Sequence, residues 1–231
     1  MKLKQKIRLS NRGFTMVELL VAMVVALLAL GAIYSTFLSQ HKSYLAQGET
    51  AAMHQNIRTA MFYLQREIRM AGCDPIGTAG AGITTANATS INFTEDVRGD
   101  LVGSDSDGAA DDDNENITYA LSGNNLVRNT NLGAGDQIVA QNIDAIDFVY
   151  LDGSSPPNVL NPGGINVPAA NLNQIRSVEV TIVARTGRTT LTSSNNNAYL
   201  NQRGTQIFLA PGDNFSRRRL TASIKCRNLG I

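Results

Sequence analysis

The stretch R-G-F-T-M-V-E-L-L-V-A-M, residues 12–23, places a single acidic side chain, Glu18, at the start of a long apolar run. Within residues 14–38 the ionisable side chains are Glu18 and the phenol of Tyr34, and most other residues are Val, Leu, Ala, Met or Ile. At ~1.5 Å of rise per residue, a helix of roughly 20 residues crosses a hydrocarbon layer of about 30 Å. The sequence therefore predicts a membrane-spanning helix at residues 14–38.

The charged residues are divided unevenly between the beginning of the chain and the rest. The leader that precedes the apolar run contains five basic residues and no acidic ones: Lys2, Lys4, Lys6, Arg8 and Arg12. The whole chain has a net charge of +1, but without these five residues 15 basic side chains face 19 acidic ones, a net charge of −4. By the positive-inside rule, the leader predicts a cytoplasmic N-terminus and an extracytoplasmic remainder. This balance does not suggest a general nucleic-acid-binding protein.

Two glycines are candidate cleavage positions. Gly31, followed by Ala32, fits the small-residue cleavage site of an ordinary secretory signal peptide. Against this interpretation, the helical pattern continues beyond Ala32 without a proline. Gly13, by contrast, precedes the apolar run and directly follows the basic leader.

The order of basic leader, Gly13, Phe14, Glu18 and aliphatic helix resembles the cleavage and methylation motif of type IV prepilins and type II secretion pseudopilins. The resemblance implies that a prepilin peptidase cuts between Gly13 and Phe14, removing the leader at residues 1–13, and methylates the new amino group of Phe14. It also implies a single-pass protein of the bacterial inner membrane, with a periplasmic C-terminal domain, that later enters a pilus filament or its tip.

Glu18 needs a physical explanation, because a carboxylate in the apolar part of a membrane helix costs about 2.5 to 3.5 kcal/mol on insertion scales. After cleavage, the nearest strong cation is the amino group of Phe14, from the same chain or, as the resemblance favours, from a neighbouring helix. Such a pair would set the register of packed helices more than it would add stability, because desolvation cancels much of its Coulomb energy. The alternative is that Glu18 lies at the lipid interface and snorkels into water.

Beyond the membrane segment, apolar residues recur every three or four positions, which is one face of a helix. They are Met53, Ile57, Met61, Leu64, Ile68 and Ala71. This period predicts an amphipathic continuation of the helix at residues 39–72, and the sequence G-C-D-P at residues 72–75 predicts its end. A helix over residues 14–71 would be roughly 87 Å long at ~1.5 Å per residue, far longer than the hydrocarbon layer is thick. The apolar face of its second half must therefore pack on the rest of the chain, as in pilins.

Residues 73–231 change composition to Gly, Asn, Thr, Ser and Asp, with runs that alternate apolar and polar residues as half-buried strands do. The runs are residues 90–96, 115–130, 137–152, 175–186, 205–210 and 217–229. Ser122–Asn125 predicts a hairpin turn, and the even-numbered residues of 178–184 share one face of a strand. The sequence predicts an α+β, pilin-like fold: a long N-terminal helix packed on a C-terminal antiparallel β-sheet domain.

The order of the strands resembles the PilW family of minor pilins and the related type II secretion pseudopilin GspJ, through residues 117–129, 142–152 and 217–229. This resemblance implies a minor pilin that initiates or caps a type IV pilus by helix packing. The implied partners are other minor and major pilins, the prepilin peptidase, the inner-membrane assembly platform and the lipid bilayer. A GspJ-like role in secretion and a tip-located receptor for DNA or surfaces are the alternatives.

Cys73 and Cys226 are the two cysteines, and outside the cytoplasm they have one possible intramolecular pairing. A bridge would close a loop of about 150 residues and contribute ~4 to 5 kcal/mol in the chain-entropy model. We predict this disulfide, with two buried free thiols as the alternative.

The acidic stretch G-S-D-S-D-G-A-A-D-D-D-N-E-N at residues 103–116 is a candidate calcium loop. With Gly108 as the sharp-turn glycine of an EF-hand-type loop, the metal ligands would be Asp105, Asp107, the carbonyl of Ala109, and Asp111. The first and last positions of that loop lack strong oxygen donors, so a solvated acidic loop is the alternative. Calcium is the one cofactor that the sequence suggests.

Three consecutive arginines, Arg217–Arg219, begin the last predicted strand. We interpret them as a solvated edge that deters aggregation, and without interleaved aromatic residues they do not make nucleic acid an expected partner. The sequence contains no G-x-S-x-G, P-loop, H-E-x-x-H or G-x-G-x-x-G motif, so an enzyme is not expected.

Overall fold

A computed structural model describes residues 13–99, 105–130, 133 and 135–230 of the chain. The predicted leader, apart from Gly13, lies outside these residues. The chain divides into two compact units, and the boundary falls between Gln47 and Gly48. The predicted divisions at residues 38/39 and 72/73 separate the apolar half of the helix, its amphipathic half and the β-rich domain, and they stay predictions. In the structure, the last part of the helix belongs to the same unit as the strands.

Helix α1, Met16–Ile68, contains 53 residues. In the first unit its large apolar side chains, such as those of Leu19, Leu27 and Phe37, are exposed. This part of the helix is long and apolar enough to cross a membrane by length and composition. An apolar surface of this extent is not stable in water and needs lipid or other helices to cover it.

In the second unit, α1 presents a buried stripe that confirms the predicted amphipathic face. The buried residues are Met53, Ile57, Ala60, Met61, Leu64 and Ile68. The helix ends at Ile68 and is followed by a turn that includes the buried Ala71. Gly72 completes this turn at φ +79, and a Cβ there would lie 2.4 Å from Leu229. The predicted stop therefore depends on a glycine for both its backbone conformation and its packing.

In the described part of the chain, ten strands follow the helix. They are β1 Ile83–Ala86, β2 Ser90–Thr94, β3 Asn116–Ser122, β4 Asn125–Asn129, β5 Gln137–Gln141, β6 Ile143–Leu151, β7 Ser177–Arg185, β8 Tyr199–Leu200, β9 Gln206–Phe208 and β10 Arg217–Lys225. Strands β1 to β5 form an antiparallel sheet in chain order, β10-β7-β6 form a second antiparallel sheet, and β8 pairs with β9. The helical stripe and both larger sheets share one hydrophobic core. The predicted α+β fold is confirmed.

The predicted hairpin between β3 and β4 is also confirmed. Ser122 pairs with Asn125, which leaves Gly123 and Asn124 as the two loop residues. Gly123 has φ +60, as a two-residue turn of this kind requires. The short strands β1 and β8 were not predicted, because four and two residues carry too little alternation to be recognised.

Strand β7 is more deeply buried than its sequence pattern indicates. Its predicted inner face is buried as expected: Val178, Val180, Ile182 and Ala184. Thr181 and Val183, on the opposite face, are buried as well. The β8–β9 hairpin is linked to this opposite face, since Asn201 hydrogen-bonds to Asp147 on the neighbouring strand β6. The alternation of apolar and polar residues along a strand does not show that a hairpin distant in sequence will pack on its second face.

Candidate functional site

The N-terminal motif forms a capping box at the start of α1. The Glu18 Oε2 atom accepts hydrogen bonds from the Thr15 backbone N–H at 2.9 Å and from the Thr15 hydroxyl at 3.0 Å. The Glu18 N–H in turn donates to the Thr15 Oγ1 atom at 3.3 Å. This reciprocal arrangement satisfies backbone donors that a helix N-terminus otherwise leaves unpaired.

The predicted cleavage position lies immediately outside this capped helix. Gly13 and Phe14 are exposed and precede the first helical residue, Met16. Among the described residues, a Cβ atom at Gly13 would meet no heavy atom within 4 Å, so packing there does not require a glycine.

The capping box gives Glu18 a local partner that sequence reasoning missed. The pattern T-x-x-E at residues 15–18 is the sequence signal for this capping box. The second carboxylate oxygen, Oε1, makes no hydrogen bond within the described part of the chain. Glu18 therefore retains an acceptor for a donor from outside the chain.

The two cysteines are free thiols, which differs from the predicted disulfide. Cys226 is buried at the end of β10, and burial raises its pKa to about 12. Cys73 follows the turn after α1, where burial and then the nearby Glu95 and Asp96 carboxyls raise its pKa. Both thiols are therefore protonated near neutral pH and are weak nucleophiles.

Calcium binding by the acidic loop stays a prediction, and residues 103 and 104 of the loop lie outside the described part of the chain. Among the residues that the structure describes, no group of three or more His, Cys, Asp or Glu side chains is arranged to hold a metal ion. Asp105, Asp107, Ala109 and Asp111 are therefore not brought together as ligands. The predicted sharp turn at Gly108 does occur, with φ +90.

Two buried carboxylates organise this loop through backbone amides instead. Asp96 Oδ2 accepts hydrogen bonds from the Gly108 N–H and the Ser106 hydroxyl, both at 3.0 Å. Glu115 accepts from the N–H groups of Val97 at 2.7 Å and Arg98 at 2.8 Å, and from that of Asp112 at 3.1 Å. Carboxylates that bind amides stabilise a loop without a cation.

The interpretation of Arg217 as a solvated edge residue is wrong. Its side chain is 1% exposed and forms salt bridges with Asp144 and Asp213, both at 2.5 Å. The rings of Phe208 and Phe215 lie 5.2 and 5.9 Å from its guanidinium carbon. Sequence spacing could not place Asp144, 73 residues away, beside the edge strand. Arg218 and Arg219 are exposed, as expected.

A second candidate site, which we call the arginine groove, lies wholly within the second unit. It has a volume of about 1260 Å³ and is lined by the C-terminal part of α1, residues 95–98, strand β5 and the segment after β10. Four of its arginines are exposed: Arg66, Arg69, Arg98 and Arg227. Sequence reasoning missed this groove because its residues, which include Asn114 and Arg128, come from six separate parts of the chain.

The floor of the groove contains a paired set of polar side chains. Glu67 accepts a hydrogen bond from the Tyr119 hydroxyl at 2.6 Å and forms a salt bridge with Arg128 at 2.9 Å. Arg128 also donates to Asn114 Oδ1 at 3.0 Å. Glu67 and Arg128 are thus held by each other and are not available as free charges.

Glu95 is the exception in this floor. The residue is 8% exposed, and its Oε2 atom has no hydrogen-bond partner within the described residues. Burial raises the pKa of Glu95 to about 7, and the neighbouring Glu67 adds to the shift. A buried polar atom without a partner marks a place where an external donor or acceptor would be accommodated.

Comparisons with known proteins concern the N-terminal segment and the fold. Residues 8–34 match the family model described as the prokaryotic N-terminal methylation motif. No curated protein matches the sequence significantly. Among solved structures, the chain is similar to a type IV-like pilin from Thermus thermophilus, with 12% sequence identity, a TM-score of 0.48, and coverage of 77% of this chain and 98% of that chain.

Residues 8–34 thus carry a prokaryotic N-terminal methylation motif, and a long apolar helix and antiparallel sheets follow it. The apolar part of α1 fits a membrane-spanning segment by its length and composition.

Proposed function

We propose that this protein is a minor pilin that helps to initiate or cap a type IV pilus. The observation that carries the proposal is the start of α1: an exposed Gly13–Phe14 peptide, a capped Glu18, and then a helix whose apolar side chains are exposed. A peptidase can reach this peptide bond, and the helix behind it requires an apolar environment. The minor role rests on the resemblance of the strand order to the PilW family.

The proposed topology has a cytoplasmic N-terminus and a periplasmic second unit. The basic leader supports this orientation through the positive-inside rule. A prepilin peptidase removes residues 1–13 and methylates the amino group of Phe14. The helix then passes from the bilayer into a bundle of pilin helices, so that its apolar side chains exchange lipid for protein.

Glu18 sets the axial register of the helix against its neighbours in the bundle. Apolar side chains gain little by moving from lipid to a helix bundle, because both surroundings are equally apolar. A polar contact therefore decides where one helix stops along its neighbour. The Oε1 atom of Glu18 can accept from the amino group of Phe14 of an adjacent pilin, while Thr15 occupies Oε2.

The experiment compares Glu18→Gln and Glu18→Ala with a control at Glu49, a glutamate of α1 that lies in the second unit. We expect both Glu18 variants to be processed and retained in the membrane but to be depleted at least tenfold from sheared pili. Glu49→Gln should enter pili normally. Normal incorporation of Glu18→Ala would contradict the proposal, and so would a functional fibre that retains residues 1–13.

A GspJ-like role in type II secretion uses the same N-terminal chemistry, so the Glu18 variants do not separate the two systems. Deletion of the protein distinguishes them. Loss of twitching motility with normal secretion supports the pilus, whereas loss of secretion with normal twitching supports the pseudopilin.

A further inference from the structure

The arginine groove concentrates positive charge on an otherwise acidic body. The chain without its leader has a net charge of −4, yet four exposed arginines line this one groove. Arg66, Arg69, Arg98 and Arg227 form no salt bridge with another described residue. Like charges that line one depression repel each other, so a negatively charged occupant would relieve an unfavourable interaction.

The carboxyl groups of the groove do not neutralise these arginines. Glu67 is held by Arg128 and Tyr119. Glu95 is buried and near its midpoint of ionisation at neutral pH, and its Oε2 atom has no partner in the described chain. The groove therefore combines a cationic rim with one buried carboxyl that can exchange a hydrogen bond with an occupant.

Large apolar side chains lie between the arginines. Phe62 is 61% exposed and Ile138 is 56% exposed, and Tyr63 and Met70 are also exposed along the same groove. Apolar surface rimmed by charged residues is typical of a protein interaction site. An occupant therefore has to cover apolar surface as well as compensate charge.

The dimensions and the chemistry of the groove select the class of occupant. A volume of about 1260 Å³ exceeds the ~300 to 1,000 Å³ of most small-molecule pockets, and the groove is open, so it suits a polypeptide segment better than a metabolite. Arginine binds carboxylates in a bidentate geometry. A polypeptide can place aliphatic side chains against Ile138 and Met70 as well as carboxylates against the arginines, which favours an acidic polypeptide over nucleic acid.

We propose that the arginine groove is a docking site for a neighbouring pilin subunit, through a segment that carries at least two carboxylates and one large apolar side chain. The identity of the neighbour as a pilin rests on the proposed function. The carboxylates pair with the arginines of the rim, and the apolar side chain packs against Phe62 and Ile138. The contact thus lies on the globular unit and is chemically independent of the packing of apolar helices.

The test places a photo-crosslinking amino acid, p-benzoylphenylalanine, at Tyr63 of the full-length chain in cells that assemble pili. We expect crosslinks to a pilin subunit, mapped by mass spectrometry to a segment rich in Asp and Glu. The double variant Arg66→Glu/Arg69→Glu should reduce this crosslink about tenfold. The matched control, Arg58→Glu/Arg218→Glu, changes the net charge equally at exposed arginines outside the groove and should leave the crosslink unchanged.

Three results would overturn the proposal: no crosslink from Tyr63, a crosslink to a segment without acidic residues, or an acidic crosslink that both double variants reduce equally. The Glu18→Ala variant, measured in the same cells, separates this proposal from the proposed function. If Glu18→Ala enters pili normally, the pilin assignment fails. If Glu18→Ala is excluded as expected and the Tyr63 crosslink does not depend on Arg66 and Arg69, the groove assignment alone fails.

A titration of the purified full-length chain in detergent tests the chemistry of the groove directly. The probe is poly-L-glutamate, and a single-stranded oligothymidylate of equal charge is the comparison. We expect poly-L-glutamate to bind with an affinity that falls as salt rises and that Arg66→Glu/Arg69→Glu lowers about tenfold. Tighter binding of the oligothymidylate, or equal binding of poly-L-glutamate by both double variants, would contradict a protein-docking groove.

Discussion

Helix α1 carries apolar residues along its whole length, but its two parts use them differently. In the first unit Leu27 is 65% exposed, whereas in the second unit Leu64 is fully buried. The first part is apolar on all sides, as a helix that is covered by lipid or by other helices is. The second part has a stripe that packs into the core shared with the sheets. The period of the apolar residues, more than their number, therefore distinguishes a segment that needs an external cover from one that folds on its own chain.

The two parts of the helix also differ in the hydrogen-bond partners of their glutamates. Glu67 is held by the Tyr119 hydroxyl and the Arg128 guanidinium, which lie 52 and 61 residues away in sequence. Glu18 is held by Thr15, three residues away. The carboxylate of Glu67 is therefore hydrogen-bonded by residues distant in sequence, whereas the carboxylate of Glu18 is hydrogen-bonded only by the neighbouring Thr15 within the described chain. The Oε1 atom of Glu18 consequently keeps its capacity to accept a hydrogen bond.

The largest difference between the two parts should appear when the same substitution is made in each. Leu64→Ala removes a fully buried side chain, and we expect it to lower the free energy of unfolding by about 3 to 5 kcal/mol. Leu27→Ala removes no packing within the chain and should change it by less than ~0.5 kcal/mol. Chemical unfolding of the full-length variants in detergent, followed by circular dichroism, measures both. Equal losses would show that Leu27 packs within the folded chain.

The next effect concerns the buried charge of the second unit. Glu67→Ala leaves Arg128 without its counter-ion in a site where the two side chains are 10% and 13% exposed. We expect a loss of about 3 kcal/mol, since removal of one partner from a buried pair leaves an uncompensated charge. Glu179→Ala is the matched control, because Arg203, its partner, is 39% exposed and should lose less than about 1 kcal/mol. A similar loss for both glutamates would contradict the difference in burial.

A smaller effect is expected at the start of the helix. Thr15→Ala removes the N-cap, which contributes about 1 kcal/mol, so the first amides of α1 should exchange with deuterium roughly fivefold faster in detergent. Thr36→Ala is the control, because its hydroxyl donates to the Ala32 carbonyl within the helix and caps nothing. The melting temperature of the second unit should remain unchanged in both variants. Unaltered exchange in Thr15→Ala would mean that the capping box does not persist in an apolar environment.

The sequence predicts the regular elements well because their signals are local. The apolar period of α1, the turn at Gly123 and the buried face of β7 each depend on residues within about a dozen positions of each other. The prepilin-type motif is local as well, which is why residues 8–34 suffice for its family model. These features required no knowledge of tertiary structure.

The errors arise where a side chain is satisfied by residues far away in sequence. Arg217 looks like an edge residue until Asp144 of β6 is placed beside it. The acidic stretch looks solvated or metal-binding until one of its carboxylates, Glu115, is seen to accept hydrogen bonds from the amides of Val97 and Arg98. The arginine groove could not be predicted for the same reason, since its charges converge only after the sheets have formed.

The smallest expected effect is a pH dependence confined to the second unit. The charged groups that act on Glu95 are Glu67, Arg128, Glu115 and Arg66. Its pKa rises from 4.5 to about 7 on folding, so the native state binds the proton more tightly than the unfolded chain does. This contribution to stability is complete below about pH 4.5 and is lost as the pH rises through 7.

We therefore expect Glu95→Gln, which is neutral at every pH, to match the wild type near pH 5 and to be more stable near pH 8. The open groove screens the charge, so the gain at pH 8 should be about 1 kcal/mol, or roughly 2 to 4 °C in melting temperature for a domain of this size. Asp105→Asn, in the exposed part of the acidic loop, is the control and should show no such divergence. If the wild type and Glu95→Gln melt in parallel from pH 5 to pH 8, Glu95 is ionised throughout this range, and the groove has a permanent negative charge in its floor that would weaken the docking of an acidic partner.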